Sequence, residues 1–342
     1  MHLVLSGYYG FHNSGDEAIL RSIIEQLREL HPTIRLTVLS ADPVHTNKTY
    51  QVEAVDRWKP SLVLRTIRKA DGLLSGGGSL LQDVTGLHSL LYYTSIIQVA
   101  KCFGKPVFVY AQGMGPFQRT ISRKVVKFVL GRNVKLTVRD ETSSNLLKEI
   151  GISSPIEVVP DPVVSWMPPY VPKKDNVITV SVRDWPDSHT SFQELARTLD
   201  MFVNDGYEIV FVPMHGKGDE TCSTRIASMM RSESIILPSS LSTEDKQKAI
   251  GSSRLLIGMR LHALVFAAVS ETPFVALSYD PKVDAFANAC RQPTAGHINQ
   301  KDWDHLSLRE TVLRSMELKP DITHLQEQAL DTAAMAIEYF QS

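Results

Sequence analysis

Gly251-Ser252-Ser253-Arg254-Leu255-Leu256-Ile257-Gly258-Met259-Arg260-Leu261-His262 is the stretch on which the fold turns. A short apolar run, Leu255 to Ile257, meets Gly258, and a second apolar run extends from Ala263 to Val269. The first reads as a buried strand and the second as a helix. Their junction sets Arg260 and His262 at the carboxyl end of a strand, beside the free N–H groups and positive dipole of a helix start, where an anion is well placed. Ligands of open parallel sheets bind in the crevice outside the strand ends, so this junction is the candidate chemical centre. The plain alternative is a pair of polar residues finishing a chain end.

The pattern around it repeats. Strands are expected at Val177 to Val182, Glu208 to Val212, Ile235 to Leu237, Leu255 to Ile257 and Phe274 to Leu277, with helices at Phe192 to Val203, Cys222 to Met230, Glu244 to Ile250 and Leu264 to Val269. Such alternation implies a parallel sheet with crossover helices. Arg183 follows the first of these strands, His215 the second and Lys282 the last. Arg183, His215, Arg260, His262 and Lys282 are therefore expected on one rim. An exposed basic edge without function is the competing explanation.

Upstream, Pro160-Asp161-Pro162 and the prolines at 168, 169 and 172 forbid a long regular element and mark a linker. The first half alternates in the same way. Leu3 to Leu5 is a strand, followed by the loop Gly7-Tyr8-Tyr9-Gly10-Phe11-His12-Asn13-Ser14-Gly15-Asp16-Glu17 and a helix for which Ser14 and Glu17 suggest a capping box. Asp16 and Glu17 in the first turn would repel a phosphate, so they serve either the helix dipole or sugar hydroxyls. A later strand ends in Gly76-Gly77-Gly78-Ser79-Leu80-Leu81-Gln82-Asp83, where glycines let a ligand approach the backbone. Two more strand ends carry Gln112-Gly113-Met114-Gly115-Pro116 and Val138-Arg139-Asp140; Arg139 could equally pair with Asp140 or Glu141. No GxGxxG, Walker loop, HExxH or GxSxG motif fits.

With 342 residues, 43% of them hydrophobic, the chain accommodates two domains. The expected division is 1–168, 169–320 and a C-terminal helix at 321–342 that packs back toward the first domain. A net charge of −1 gives no global attraction for nucleic acid or anionic lipid, so an anion site must be local. Three scattered cysteines, Cys102, Cys222 and Cys290, read as reduced structural thiols. The opening Met1 to Gly7 reads as a strand rather than a signal peptide, and no apolar run is long enough to span a bilayer, so a cytoplasmic location is expected. Asp302-Trp303-Asp304 matches a DxD metal pattern but precedes Ser307-Leu308-Arg309-Glu310, itself like a capping box, and is assigned to a helix start.

Taken in order, Gly10 to Glu17, Gly76 to Asp83, Gln112 to Pro116, Val138 to Asp140 and Arg260-Leu261-His262 resemble the polysaccharide pyruvyl transferase family, most nearly its CsaB-type members, which act on bacterial cell-wall polymers. The resemblance covers essentially the whole chain. It implies an α/β fold of glycosyltransferase-B-like architecture, with two Rossmann-like domains facing each other across a cleft. It also implies phosphoenolpyruvate as donor and, in secondary cell-wall polymer biosynthesis, an N-acetylmannosamine residue of a lipid-linked glycan as acceptor, converted to a 4,6-ketal. Under it Arg260, Leu261 and His262 serve donor binding and catalysis, with Arg260 and His262 catalytic, and Lys282 contacts the donor; Arg183, Arg139 and His215 join the donor-binding candidates on their own position at strand ends. Asn13, Asp16, Glu17, Gly76, Gly77 and Gly78 lie on the acceptor side. No metal or further cofactor is implied.

Phosphoenolpyruvate carries a phosphate and a carboxylate, and convergent arginines suit both. Of the two catalytic candidates, only an imidazole titrates near neutral pH. The basic segments 57–69 and 119–135 are either solvated helix faces or a peripheral contact with the inner face of the cell membrane. Two rival functions stand beside this one. A nucleotide-sugar glycosyltransferase of the same architecture would release a nucleoside diphosphate, and a non-catalytic glycan-binding protein would consume no donor.

Overall fold

In the computed structural model the alternation becomes two wholly parallel sheets with helices on their faces; residues 1–84, 86–300 and 302–342 are described. The chain divides into two compact units, Met1–Ser165 with Leu325–Ser342, and Trp166–His324.

The first unit runs β1 (His2–Ser6), α1 (Ser14–Leu30), β2 (Arg35–Ser40), α2 (Pro43–Tyr50), β3 (Glu53–Asp56), α3 (Pro60–Lys69), β4 (Gly72–Gly76), α4 (Leu87–Cys102), β5 (Val107–Gln112), α5 (Thr120–Leu130), β6 (Lys135–Val138), α6 (Glu141–Glu149) and β7 (Ile156–Val158). Its strand order is β3-β2-β1-β4-β5-β6-β7. Strand order reverses between β1 and β4, the place where doubly wound sheets open a crevice for ligands. Central strands covered on both faces need unbroken apolar sequence, and Leu3, Leu5, Leu73, Leu74, Val107 and Val109 are all fully buried.

The second unit runs β8 (Lys174–Ser181), α7 (His189–Asn204), β9 (Glu208–Phe211), α8 (Gly216–Ala227), β10 (Ile235–Ile236), α9 (Thr243–Ser252), β11 (Ser253–Gly258), α10 (Leu261–Val269), β12 (Phe274–Ser278), α11 (Pro281–Ala289), β13 (Thr294–His297) and α12 (His305–Ser315). Its order, β10-β9-β8-β11-β12-β13, repeats that of the first unit, with the reversal between β8 and β11. The last helix, α13 (Thr323–Gln341), sends Tyr339 and Phe340 against Phe108 of β5, with ring centroids 5.9 and 6.3 Å away.

Several local expectations need correction. Asn13, not Ser14, caps α1: its side chain accepts from the Gly15 N–H at 3.1 Å, and Glu17 reaches back to the Gly10 N–H at 2.9 Å. The capping box of α12 lies at Asp304 and Ser307, one turn before the expected one. The linker holds a short 3-10 turn at Pro162–Ser165. The elements α2, β13 and α11 lie outside the expected ones, although α2 and α11 open on Asp42-Pro43 and Asp280-Pro281, a capping acid followed by a first-turn proline. Cys222 and Cys290 are buried, which pushes their thiols up to about 11 and about 12; Cys102 is exposed.

Gly77 and Gly78, just past β4, have φ of +65° and +67°, a region open to glycine but strained for other residues. A Cβ on Gly77 would lie 2.0 Å from Cγ2 of Ile19 in α1. Gly77→Ala is therefore expected to lower unfolding stability by about 2 kcal/mol or more, from backbone strain and overpacking together. Urea denaturation checks this, and an unchanged midpoint would contradict it.

Candidate active site

The second unit gathers five of the sequence candidates on adjacent strand tips. Across the sheet order β9, β8, β11, β12, the carboxyl ends lead to His215, to Arg183, to Arg260 with His262, and to Lys282. Arg260 occupies the N-cap position of α10, and His262 lies in its first turn. Leu261 is buried, so what it can present to a ligand is its main-chain N–H at the helix start.

The group that organises these tips is Asp219, a residue the sequence did not single out. It lies in the first turns of α8 and is 2% exposed. Its Oδ2 accepts from Arg260 Nε at 2.9 Å, its Oδ1 accepts from Arg260 Nη2, and Oδ2 also accepts from the His215 N–H at 2.9 Å. One carboxylate thus ties the tip of β9 to the tip of β11. The bidentate pair engages one edge of the guanidinium, and the donors on its other edge remain available to an oxyanion.

Lys246 is the second missed group. It is 1% exposed on α9, donates from Nζ to the Ser239 carbonyl at 2.9 Å, and is pulled down to about 8 by burial, which Asp219 and then Glu220 oppose. The His215 imidazole is pushed below its usual value, first by desolvation and then by the Arg260 charge; Asp219 opposes this, while Arg183 and Lys246 add to it. The electrostatics are those of a cluster of basic side chains partly neutralised by one buried acid.

Tyr279 completes the wall. Arg183 lies over its ring at 5.1 Å and over Trp185 at 5.3 Å, and Lys282 Nζ is 5.7 Å from the Tyr279 centroid. Arg183 Nε is buried and meets no hydrogen-bond partner among the described residues. A buried donor of that kind is expensive unless a ligand or water satisfies it. Lys282 Nζ also donates to Asp280, the cap of α11, at 3.0 Å.

In the first unit the acceptor-side candidates meet at the β1/β4 reversal. A Cβ on Gly78 would fall 2.5 Å from Asp16 Oδ1, and Tyr9 Oη donates to the Gly76 carbonyl at 3.1 Å. Glu17 is turned inward, its Oε1 held by the Gly10 N–H and its Oε2 by Tyr50 Oη at 2.6 Å, so it shapes the loop. Asn13 is half-buried and occupied with the cap. Arg139 lies in the first unit. At the end of β6 it donates to Ser79 Oγ at 2.9 Å and pairs with Asp140 and Asp161, each at 3.7 Å. The sequence also missed an aromatic nest: Arg57 lies 4.1 Å from the Tyr92 centroid and 5.1 Å from that of Phe11, and donates to the Gly7 carbonyl at 2.9 Å.

Among the described residues no group of three or more His, Cys, Asp or Glu side chains is placed to hold a metal ion.

Each unit is an α/β half of the doubly wound type, the first with glycine turns and acids at its strand ends and the second with basic side chains there. A family model for polysaccharide pyruvyl transferase matches residues 13–281, and the chain belongs to that family. It is 21% identical over 362 residues to the amylovoran biosynthesis protein AmsJ of Erwinia amylovora, covering 82% of this chain and 84% of that one. In fold it is similar to a putative UDP-N-acetylglucosamine 2-epimerase from Listeria monocytogenes, with a TM-score of 0.68, 13% identity and coverage of 100% of this chain and 96% of the other. It is also similar to Anabaena HepE in complex with UDP-glucose, with a TM-score of 0.61, 10% identity and coverage of 99% and 95%. At such identities these two speak for the shared architecture of two Rossmann-like domains.

Removing the organising carboxylate has two expected consequences. Asp219→Ala leaves the largely buried Arg260 without its partner and should destabilise the protein by roughly 2–4 kcal/mol in urea denaturation. In Asp219→Asn the opposing negative charge is gone, so the His215 midpoint followed by NMR should fall further below its free value of about 6.5. A midpoint that rises in the variant would contradict the arrangement.

Proposed function

We propose that the protein transfers a pyruvyl group from phosphoenolpyruvate to an N-acetylmannosamine residue of a lipid-linked cell-wall glycan precursor, closing a 4,6-ketal and releasing phosphate. The observation that carries this reading is the set Arg183, His215, Arg260, His262 and Lys282 on four neighbouring strand tips of one sheet. A three-carbon donor with a phosphate and a carboxylate calls for that density of cations in a small space.

In this reading Arg260 and Arg183 grip the oxyanions, with Lys282 beside them, and the first-turn N–H groups of α10 add the helix dipole. His262 delivers a proton to the methylene carbon of the donor, leaving the central carbon electrophilic. A sugar hydroxyl adds there and surrenders its proton to the imidazole. The C–O bond to phosphate then breaks, the cations holding the departing charge, and the second hydroxyl adds to the same carbon and passes its proton to the departing phosphate, completing the ketal. One molecule of donor and one diol give one ketal and one phosphate. The Asp16 carboxylate and the backbone at Gly76, Gly77 and Gly78 receive the acceptor, with Asn13 and Glu17 shaping the loop. Because the acceptor is lipid-linked, the protein works peripherally at the inner face of the membrane; no helix among the described residues is long and apolar enough to cross one.

The test is incubation with phosphoenolpyruvate and a synthetic N-acetylmannosamine-containing acceptor, reading phosphate release and the mass of the product. Ketal formation with phosphate release is expected; consumption of a nucleotide sugar instead would establish the glycosyltransferase reading. His262→Ala should lower the rate about 10²–10⁴-fold. Arg260→Lys keeps the charge but loses the planar fork, and should raise KM for the donor. Unchanged kinetics in both variants would remove the assignment.

Lys246 gives a pH dependence of definite sign. It is a cation below about 8 and neutral above, so donor KM should rise as pH passes through about 8. Lys246→Met should flatten that limb, and an identical limb in the variant would refute the assignment.

A further inference from the structure

We propose that the outer face of α3, α4 and α5 is a docking surface for an anionic phospholipid bilayer. The three helices cover one face of the first unit's sheet side by side, sharing the apolar cluster that includes Val63, Ile67, Leu90, Ile97, Val126 and Leu130. None of them contains an aspartate or a glutamate. That absence is unusual in a chain whose acidic and basic residues are almost equal in number, 37 against 36. On the outer side Arg65, Arg68, Lys69, Lys124 and Lys127 are exposed.

Charge alone would describe a solvated face. The second observation is that large apolar side chains are exposed among these cations: Leu62, Leu64, Leu91 and Ile121, and Phe128 at 74% exposure. Exposed apolar residues interleaved with Lys and Arg and free of acids are what an interfacial helix presents to acyl chains and anionic headgroups. The acids that flank these helices in sequence are engaged: Asp56 accepts from the Trp58 N–H at 2.9 Å and Asp71 from the His2 N–H at 2.7 Å. Asp83 is buried and accepts from the Gln118 and Arg119 N–H groups at 2.7 and 2.9 Å, and Glu149 pairs with Arg123 at 2.7 Å.

Trp58 marks the edge of this surface. It lies two residues before α3, is 63% exposed, and has its ring steadied by Arg57 at 5.3 Å and Tyr92 at 6.1 Å. An amphipathic aromatic of this kind suits the headgroup level of a bilayer. Trp58 follows the carboxyl end of β3, and Arg57 is bonded to the Gly7 carbonyl of the β1–α1 loop, so the lipid-facing edge adjoins the acceptor crevice. The identity of the acceptor rests on the function proposed above; the lipid surface rests on these helices.

The experiment is co-sedimentation of the full-length protein with vesicles of phosphatidylglycerol and phosphatidylcholine, compared with vesicles of phosphatidylcholine alone. Binding to the anionic vesicles only, weakening as salt is raised, is expected. Each basic residue near such a surface contributes roughly fivefold, so Arg65→Glu/Arg68→Glu/Lys124→Glu/Lys127→Glu should weaken binding by at least about a hundredfold. Phe128→Ser should weaken binding to anionic vesicles while leaving its salt dependence intact. An unchanged thermal midpoint establishes that the variants fold. Wild-type protein that ignores anionic vesicles, a quadruple variant that binds as well as wild type, or a wild-type dimer that Phe128→Ser dissociates in place of vesicle binding would each overturn the proposal. Turnover of phosphoenolpyruvate with a soluble acceptor should be the same in the quadruple variant and wild type. Its absence in both would sink the enzymatic reading and leave the vesicle result standing.

Discussion

The pairing of Asp219 with Arg260 is the constraint on which the site depends. A carboxylate 2% exposed and a guanidinium held at a helix N-cap are removed from water together, and such a pair is seldom the most stabilising use of a buried position. What it supplies is position. Asp219 joins the tips of β9 and β11, which flank β8 in the sheet, and so fixes Arg260 and the His215 backbone on either side of Arg183. It also lowers the net charge of the cluster, so that several cations stand close together without a ligand to hold them. Lys246, buried behind the same carboxylate, shares in that balance.

The two units use one topological position for different chemistry. In each sheet the strand order reverses between the first and fourth strands of the unit, and in each the segments leaving those strands carry the distinctive residues. The first unit places acids and glycine turns there: Asp16 against Gly78, with Gly77 tight on Ile19. The second places Arg183 after β8 and Arg260 with His262 after β11. Hydroxyl-rich ligands suit the first and anions the second.

Much of this was legible in the sequence because it is local. An apolar run meeting Gly258 and then Arg260 and His262 identifies a strand end and a helix start without tertiary information, and the repetition of that pattern gives the parallel sheets. Asp219 was not legible, since its partner Arg260 lies 41 residues away and nothing in Gly216-Lys217-Gly218-Asp219 distinguishes a buried acid from a helix-dipole acid. Lys246 left a faint signal: it precedes Gln247 and lies four residues before Ile250, both buried on α9, which places it on the inward face. The elements α2 and β13 were missed for want of apolar periodicity. Arg139 lies at a strand tip of the first unit, where Ser79, Asp140 and Asp161 engage it, partners that its place in the sequence reveals only for Asp140.

We propose a preorganised cation cluster in the second unit as the holder of a small doubly anionic donor. Isothermal titration calorimetry of the wild-type protein with phosphoenolpyruvate, without acceptor, tests it most directly. Saturable binding of one molecule per chain, weakened by Arg183→Ala and Arg260→Ala, is the expected result. Binding of a nucleoside diphosphate in preference to phosphoenolpyruvate, or donor binding untouched by the loss of Arg183 and Arg260, would contradict the account.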